Sequence, residues 1–564
     1  PEERRFEAKG EYWLENKTTQ VIDTLMLVHA VGLNTVYQFD GKYQVLNKKD
    51  VVDVTYVDMI VLEQGLAVGD RLKMTFSNFN NAPNWLQTNT RIKKHGTLIR
   101  DDIFPRFGNW IPYLSDGHHH TTYDEEHYNP KDINTSKSVV SIDSDRINFS
   151  TTVSTSKDQI AVASGNFEKQ WTTNDRNYFS FKSDQKIPHS FIFTSGDYAV
   201  AKDQWKDVQL EIYYHKEHDY NIERMLKGMK AGLDYCSQNF SPYQYKELRI
   251  VEFSQVGGAS AHSYPNTIPT GEGAGFIANV DDSENGGVDH VFGTAVHEVA
   301  HQWWGGQVIP ADSPGSKLVV ESMAEYVNLK VKEHYRSKRE LLKYMYYDND
   351  RYLKGRSRKQ HKENPLMYTR PSQNYIHYPK GGLALYVMSE YIGEDTLNAA
   401  LSKYVKKVAF QEDNYTTSAE LVAHIRAATP DSLQYLIEDW FETITFYDNE
   451  LLDTKIQELD NGEYESTITF NISKYRSDGD GNIYYSTNQG DSLSYKNLHS
   501  LPLKDYIEIG VFDEDEEVLS TEKYQINKIH NQLIIKTQTK PFKVQIDPNY
   551  LLIDREREDD FWEG

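Results

Sequence analysis

The sequence predicts a multidomain α+β protein, because the hydrophobic pattern changes twice along the 564 residues. Residues 1–205 hold short stretches of alternating apolar and polar residues, separated by Gly, Asn and Asp, which predict an N-terminal antiparallel β domain. Residues 206–445 are mostly helical in pattern, as in the amphipathic segment NIERMLKGMKAGLDYCSQNF. Alternation returns in residues 446–564, as in TITFNISKY, and predicts a C-terminal β-sandwich domain.

Composition excludes several classes of protein. The chain has 84 acidic and 61 basic residues and a net charge of −23, which argues against a nucleic-acid partner. Cys236 is the single cysteine, so an internal disulfide cannot form. Since no run of about eighteen apolar residues occurs, we expect no membrane span in this chain. The first residue is Pro rather than Met, which suggests a processed or excised product. No pattern predicts an oligomeric state.

The most informative motif is HEVAH, residues 297–301. In an α-helix, His297 and His301 lie on one face and can bind one ion. The surrounding pattern is helical from Val288 to Trp304 and apolar over most of its surface. Imidazole is a zinc ligand, and Glu298 can act as general base toward a zinc-activated water. The motif therefore predicts metal-assisted hydrolysis with one zinc ion per chain.

A third ligand is available in the next helical pattern, KLVVESMAEYVNLKVKEHY. Glu321 and Glu325 are four residues apart and share a helix face. One can complete the zinc shell, while the other can hold a ligand histidine from the second shell. Glu321 is favoured as the ligand because it follows an apolar run typical of a buried helix start.

The segment HEVAHQWWGGQV, followed by Glu321 in VVESMAEY, resembles the aminopeptidase N-like gluzincin metallopeptidases. The chain has one residue more between His301 and Glu321 than the family's usual spacing, and the phrase ESMAEY fixes the register on Glu321. The resemblance implies the ligands His297, His301 and Glu321, the base Glu298, and a thermolysin-like, mostly helical catalytic domain between two β domains.

A downstream motif adds a second catalytic candidate. Residues 378–381 read YPKG and open a helical pattern, whereas the family has Y-E-K-G at a similar distance. The resemblance implies that Tyr378 donates a hydrogen bond to the developing oxyanion.

The chain departs from the family where a G-A-M-E-N motif usually binds the amino terminus of the substrate. Aligning the glycine-alanine pair places Gly258, Ala259, Ser260 and Ala261 on the motif, whereas aligning the following strand shifts it by two residues. The glutamate is replaced by Ala261 or Ser263, respectively. Glu272 is the nearest acid downstream, and we include it with Gly258, Ala259, Ser260 and Ala261 as a candidate substrate-binding residue.

Together these features predict a zinc-dependent metallopeptidase with a peptide substrate. The favoured function is an aminopeptidase acting on short peptides. The missing glutamate leaves an endo- or oligopeptidase open, and a non-catalytic zinc-containing peptide-binding module is the third possibility. The region around GASAHSYPNTIP and the ending PNYLLIDREREDD resemble a bacterial branch fused to transporter-like membrane segments. That resemblance implies a module tethered to a membrane through other segments; the alternative is a cytoplasmic or periplasmic enzyme.

Overall fold

A computed structural model describes most of the chain in two compact units. One unit comprises Pro1–Ser313 and Val405–Thr417, and the other comprises Pro314–Tyr404 and Ser418–Gly564. The described residues are 6–30, 33–50, 55–80, 97–101, 104–107, 133, 135–140, 146–254, 261–281, 287–358, 362–480, 483–485, 501 and 503–564. The predicted order of an N-terminal β-rich region, a helical middle region and C-terminal strands is confirmed.

The first unit begins with antiparallel sheets, whose orders are β1-β6-β3, β4-β5-β2-β8, β10-β13-β7 and β11-β12-β9. Alternation of buried and exposed side chains follows the period-2 pattern of the sequence, as in β1. The strands are β1 (Phe6–Glu15), β2 (Ile22–Ala30), β3 (Asn34–Phe39), β4 (Tyr43–Asp50), β5 (Thr55–Leu66), β6 (Arg71–Asn80), β7 (Thr97–Arg100), β8 (Arg106–Phe107), β9 (Ser150–Ser156), β10 (Ile160–Ala163), β11 (Asn166–Thr173), β12 (Arg176–Lys182) and β13 (Ile192–Gly196).

A mixed four-stranded sheet follows in the same unit, in the order β14-β15-β16-β17. β14 and β15 pair antiparallel, while β15, β16 and β17 are parallel. Trp205 pairs with Val208, so the predicted domain border at residue 205 falls in the turn of one hairpin. The elements are β14 (Tyr198–Trp205), β15 (Val208–His215), α1 (Ile222–Asn239), β16 (Glu247–Phe253), β17 (Thr267–Gly271), the 3₁₀ turn Glu272–Ala274 and α2 (His290–Ala300).

The helical part of the second unit contains three π-helical turns, Leu318–Ser322, Ile376–Lys380 and Glu438–Glu442. The α-helices are largely buried where their sequences are apolar, as in GGLALYVMSEYI of α5, which is followed by Gly393 with a φ of +89°. The helices are α3 (Met323–Tyr335), α4 (Lys338–Arg358), α5 (Gly381–Ile392), α6 (Glu394–Val408), α7 (Ser418–Ala428) and α8 (Gln434–Ile437), with 3₁₀ turns Leu366–Tyr368, Asp431–Leu433 and Arg557–Asp559.

The C-terminal strands form two antiparallel sheets, β18-β19-β20 with β23 beside β19, and β22-β21-β24-β25. Both sheets contribute to one hydrophobic cluster that includes Phe470, Ile472, Ile509 and Val544. The strands are β18 (Ile444–Glu458), β19 (Tyr464–Ser477), β20 (Ile483–Tyr485), β21 (Asp505–Phe512), β22 (Val518–Ile526), β23 (His530–Thr537), β24 (Lys543–Ile546) and β25 (Phe561–Glu563). Among the described residues, no helix is long and apolar enough to cross a bilayer.

Candidate metal centre and active site

The HEVAH motif forms the end of α2, with His301 as its C-terminal cap, and local interactions fix where this helix begins. The side chain of Asp289 caps the helix by accepting a hydrogen bond from the backbone nitrogen of Phe292 at 2.9 Å. Arg224 on α1 makes an ion pair with the same carboxylate. The cap therefore also joins α2 to α1, although α2 ends at Ala300 and is shorter than the predicted helical pattern.

Two glycines of α1 allow close packing against α2. A Cβ at Gly228 would lie 2.8 Å from the Cβ of Ala295 and 2.9 Å from the carbonyl oxygen of Phe292. A Cβ at Gly232 would lie 3.0 Å from a methyl group of Val299. A side chain at Gly228 would force the helices apart, and one at Gly232 would crowd Val299, since protein cores are close-packed. The glycines on α1 thus help to set the position of the helix that carries the motif.

The geometry of the two histidines fits a bound metal ion. Their Nε2 atoms are 3.0 Å apart, and Nδ1 of His301 lies 2.9 Å from the carbonyl oxygen of Trp304. Because a carbonyl only accepts, Nδ1 of His301 donates, which leaves Nε2 as the ring nitrogen that can bind a metal ion. Zinc–nitrogen bonds of about 2.0–2.1 Å place two ligand nitrogens on the order of 3 Å apart, close to the observed separation.

Glu298 is buried, with 6% of its surface exposed, and His297 is similarly buried at 8%. Glu298 borders a small cavity whose other walls are mostly apolar and come from α1, β16, β17 and α2. The cavity lining also includes Thr270, Ala274 and Gly275, which lie around the 3₁₀ turn after β17. A carboxylate in such surroundings is partly shielded from bulk water, which strengthens its electrostatic interactions.

The residue after the motif, Gln302, ties α2 to the chain segment where the family's glutamate is missing. Its Nε2 donates to Ser263 Oγ at 2.5 Å and to the carbonyl oxygen of Tyr264 at 2.9 Å. Its Oε1 accepts from the backbone nitrogen of Asn266 at 3.0 Å. Gln302 was not among the predicted site residues, because a single glutamine carries no motif signal. Ala261 bridges to Thr270, while Gly258, Ala259 and Ser260 lie outside the described residues.

Glu272 lies in a buried group of ionisable residues that sequence reasoning did not detect. Ligand atoms of His218, Glu252 and Glu272 all lie within 4.8 Å of one another. Nδ1 of His218 contacts Glu252 Oε1, and the backbone nitrogen of His215 donates to Glu252 Oε2 at 2.7 Å. Burial is the main cause that raises the pKa of Glu252 to about 7, and repulsion from Glu272 adds to it.

Glu321 lies in the π-helical turn Leu318–Ser322, which continues directly into α3. Its side chain is buried, and Lys317 Nζ lies 3.1 Å from Glu321 Oε1. Glu325, one turn further on, accepts hydrogen bonds from Asn328 Nδ2 at 3.1 Å and from the hydroxyl of Tyr344 at 3.2 Å. Both carboxylates are thus held by neighbouring donors, and the role of Glu325 toward a ligand histidine stays a prediction.

Tyr378 lies in a second π-helical turn, Ile376–Lys380, which includes Pro379 and leads into α5. The two π-helical turns are joined, because Ser322 Oγ donates to the carbonyl oxygen of His377 at 2.6 Å. A Cβ at Gly381 would lie 2.0 Å from Ser322 Oγ. The glycine of YPKG is therefore required for the close contact between the turn that carries Tyr378 and the turn that carries Glu321.

Two basic side chains beside Tyr378 are buried. Burial is the main cause that lowers the pKa of His377 to about 3, and burial likewise lowers the pKa of Lys380 to about 8. Lys380 Nζ has no hydrogen-bond partner among the described residues and lies 5.2 Å from the centre of the Tyr352 ring. The contact with the ring face provides a cation–π interaction in place of a hydrogen bond.

Comparison with known proteins shows what this part of the chain is similar to. Residues 226–440 match the profile of the peptidase family M1 domain, and this range includes both histidines, Glu298, Glu321 and Tyr378. Over 277 residues the chain is 21% identical to the Tricorn protease-interacting factor F2 of Thermoplasma volcanium, an alignment covering 46% of this chain and 34% of that protein. Over residues 226–440 the chain is therefore similar to the domain of peptidase family M1, the family of the aminopeptidase N-like gluzincins.

Proposed function

We propose that the protein is a zinc-dependent aminopeptidase that removes N-terminal residues from short peptides. The observation that carries this proposal is the pair of imidazole Nε2 atoms 3.0 Å apart on α2, with the buried Glu298 on the same helix. The match to peptidase family M1 over residues 226–440 supports the reaction class.

The proposed ligands, which follow from the resemblance in sequence, are His297, His301 and Glu321, two imidazoles and one carboxylate. This donor set matches that of catalytic zinc sites, which take three protein ligands and leave a position for water or substrate. The hydrogen bond from His301 Nδ1 to the carbonyl oxygen of Trp304 orients the ring and presents Nε2 for binding.

Glu298 and Tyr378 have different proposed roles: Glu298 transfers protons, and Tyr378 donates a hydrogen bond. Zinc, when bound, would polarise the scissile carbonyl and lower the pKa of water. Glu298 takes a proton from the attacking water and later delivers it to the leaving amine. The hydroxyl of Tyr378 donates a hydrogen bond to the oxyanion as negative charge develops.

A second candidate function is an endo- or oligopeptidase, which one observation favours. Neither alignment of the missing motif supplies a carboxylate, because the position of the glutamate is occupied by Ala261 or Ser263. In the structure, Ala261 bridges to Thr270 and the Ser263 hydroxyl accepts a hydrogen bond from Gln302. A substrate ammonium needs a negatively charged partner when it is removed from water. Without the usual glutamate, selection for a free amino terminus depends on another acid, such as Glu272.

The deciding experiment compares cleavage of matched peptides with free and acetylated amino termini. We expect cleavage of the free peptide alone, and we expect Glu298→Gln to lower turnover by about 10²–10⁴-fold with unchanged zinc content. Glu223→Gln, an exposed position on α1, is the matched control and should retain activity. Equal cleavage of both peptides would replace the aminopeptidase by an endo- or oligopeptidase. Absence of cleavage with zinc bound would indicate a non-catalytic peptide-binding module.

A further inference from the structure

A second set of side chains that could bind a metal ion lies in the first unit and includes none of the proposed zinc ligands. His218, Glu252 and Glu272 each present one ligand atom, and the three atoms lie within 4.8 Å of one another. They come from three chain segments distinct from HEVAH. The set contains one imidazole and two carboxylates, which is a mixed nitrogen and oxygen donor set rather than a purely acidic patch.

The sheet topology explains why these residues meet. β15, β16 and β17 are parallel neighbours, so their carboxyl ends lie at the same edge of the sheet. His218 follows the end of β15 by three residues, Glu252 is the second-last residue of β16, and Glu272 directly follows β17. The carboxyl ends of parallel strands are the usual place for ligand sites in sheets of this kind.

Burial and charge also favour a bound cation. The exposed fractions are 0% for Glu252 and 3% for Glu272, whereas His218 is partly exposed. Buried carboxylates that face each other are costly unless positive charge compensates them.

We propose that His218, Glu252 and Glu272 bind a second divalent metal ion, of the kind that accepts imidazole and carboxylate ligands together, such as Zn²⁺ or Mn²⁺. Carboxylate and imidazole bonds to zinc are about 2.0–2.2 Å long, so the three ligand atoms are close enough to converge on one ion with small side-chain movements. The backbone nitrogen of His215 would remain as a donor to Glu252 and orient that ligand from outside the coordination shell.

The test counts bound metal in the full chain, dialysed against Zn²⁺ and, separately, Mn²⁺ at pH 7.5–8. The wild type should bind two equivalents of Zn²⁺. The variants His301→Ala and Glu272→Gln should each bind one equivalent, and the double variant that combines them should bind none. Glu217→Gln, an exposed neighbour of His218, is the matched control and should hold two. One equivalent in the wild type, with no further loss in Glu272→Gln, would overturn the second site.

Thermal unfolding distinguishes loss of the site from loss of the fold. Added Zn²⁺ should raise the melting temperature of His301→Ala, and this rise should vanish in the double variant while its circular dichroism spectrum stays native. If Glu272→Gln does not fold, His218→Gln at the partly exposed member provides the same comparison. A normal metal count in Glu272→Gln with an increased KM for free-amine peptides alone would assign Glu272 to the substrate ammonium and overturn the metal site.

Discussion

Helix α2 and the two π-helical turns present their reactive side chains by different physical means. On α2, in the first unit, His297 and His301 are one regular turn apart, and glycines of α1 set the helix position. In the second unit, Glu321 and Tyr378 lie in turns that depart from α-helical geometry. The first arrangement depends on helical periodicity, and the second depends on local packing between two turns.

Because of this difference, substitutions in α2 and in the π-helical turns should affect stability and activity differently. A regular helix tolerates substitutions on its surface, because backbone hydrogen bonds fix the spacing of i and i+4. A π-helical turn is rare and is commonly found at functional sites, where neighbouring contacts must stabilise it. Loss of the contacts of Ser322 with His377 and Gly381 should therefore destabilise the second unit. This effect should be larger than the effect on the first unit of losing one backbone hydrogen bond of α2.

The largest effect is expected at the reactive side chain of the second unit. Tyr378→Phe should lower turnover by about 10²–10³-fold, because it removes one donor to the oxyanion. Zinc content should stay unchanged, since the phenol is not a proposed ligand. Steady-state kinetics and metal analysis on the same sample measure both quantities.

Tyr375→Phe is the matched control for this prediction. Tyr375 lies three residues earlier, and its ring stacks on Tyr352 with centroids 6.4 Å apart, a contact that Phe preserves. Turnover within about twofold of wild type is expected for this variant. Equal losses in both variants, or no loss in Tyr378→Phe, would show that the π-helical turn has no special role in oxyanion stabilisation.

The same contrast explains how much of the fold the sequence could predict. The periodicity of α1, α2 and α3 was readable because these helices repeat every 3.6 residues. The pattern gave no sign of the π-helical turns, because KLVVESMAEY fits a continuous α-helix equally well. The Ser322–Gly381 contact that accompanies one of them joins residues 59 positions apart.

The buried group of His218, Glu252 and Glu272 was not detected for another reason. Each residue alone is ordinary, and their proximity depends on the order of β15, β16 and β17 in the sheet. Strand order is a long-range property that alternation within one strand does not encode. The signal that could have found them is a polar residue at the end of each consecutive strand.

Lys380→Met tests how the π-helical turn tolerates a buried amine. The pKa of Lys380 is lowered to about 8, so the folded protein releases this proton at lower pH than the unfolded chain. Burial of the charged amine therefore destabilises the folded protein. This destabilisation is fully present below pH 8 and disappears as the pH rises to the pKa of the unfolded chain, near 10.5. Lys380→Met should therefore stabilise the protein at pH 7 by on the order of 3 kcal/mol, and by less at each higher pH.

Urea unfolding of the wild type and of Lys380→Met between pH 7 and pH 10 measures how their unfolding free energies change with pH. The difference in unfolding free energy should shrink over that interval. Lys354→Met, an exposed position on α4, is the control and should show a difference that is independent of pH. Parallel profiles for the wild type and Lys380→Met would contradict a buried amine with a lowered pKa.

Gly381→Ala tests the packing between the two π-helical turns. The new Cβ would meet Ser322 Oγ at 2.0 Å and Ser322 Cβ at 2.5 Å. Overpacking of this kind costs about 1–3 kcal/mol, although alanine recovers up to about 1 kcal/mol of helix propensity. We expect a net loss of unfolding free energy, together with lower turnover because Tyr378 is displaced.

A double-mutant cycle with Ser322→Gly separates packing from propensity. Removing the serine side chain also removes its hydrogen bond to the carbonyl oxygen of His377, so this single variant is itself destabilised. In the double variant the new alanine has room, and the combined loss should be smaller than the sum of the single losses. Strict additivity would mean that the Gly381–Ser322 contact does not constrain the turn.

The smallest effects, and the sharpest test of the regular helix, come from the two glycines of α1. At Gly228 a new Cβ would meet the backbone carbonyl oxygen of Phe292 at 2.9 Å, an atom that cannot move without shifting α2. At Gly232 the nearest atoms are Cγ1 of Val299 at 3.0 Å and Cβ of Val299 at 3.1 Å, while the nearest backbone atom, the carbonyl oxygen of Val296, is 3.5 Å away. Gly228→Ala should therefore cost about 1–3 kcal/mol of stability, while Gly232→Ala should cost less, since its contacts are longer and helix propensity offsets part of the crowding. Urea unfolding measures both, and equal effects would mean that α1 does not set the position of α2 through its backbone.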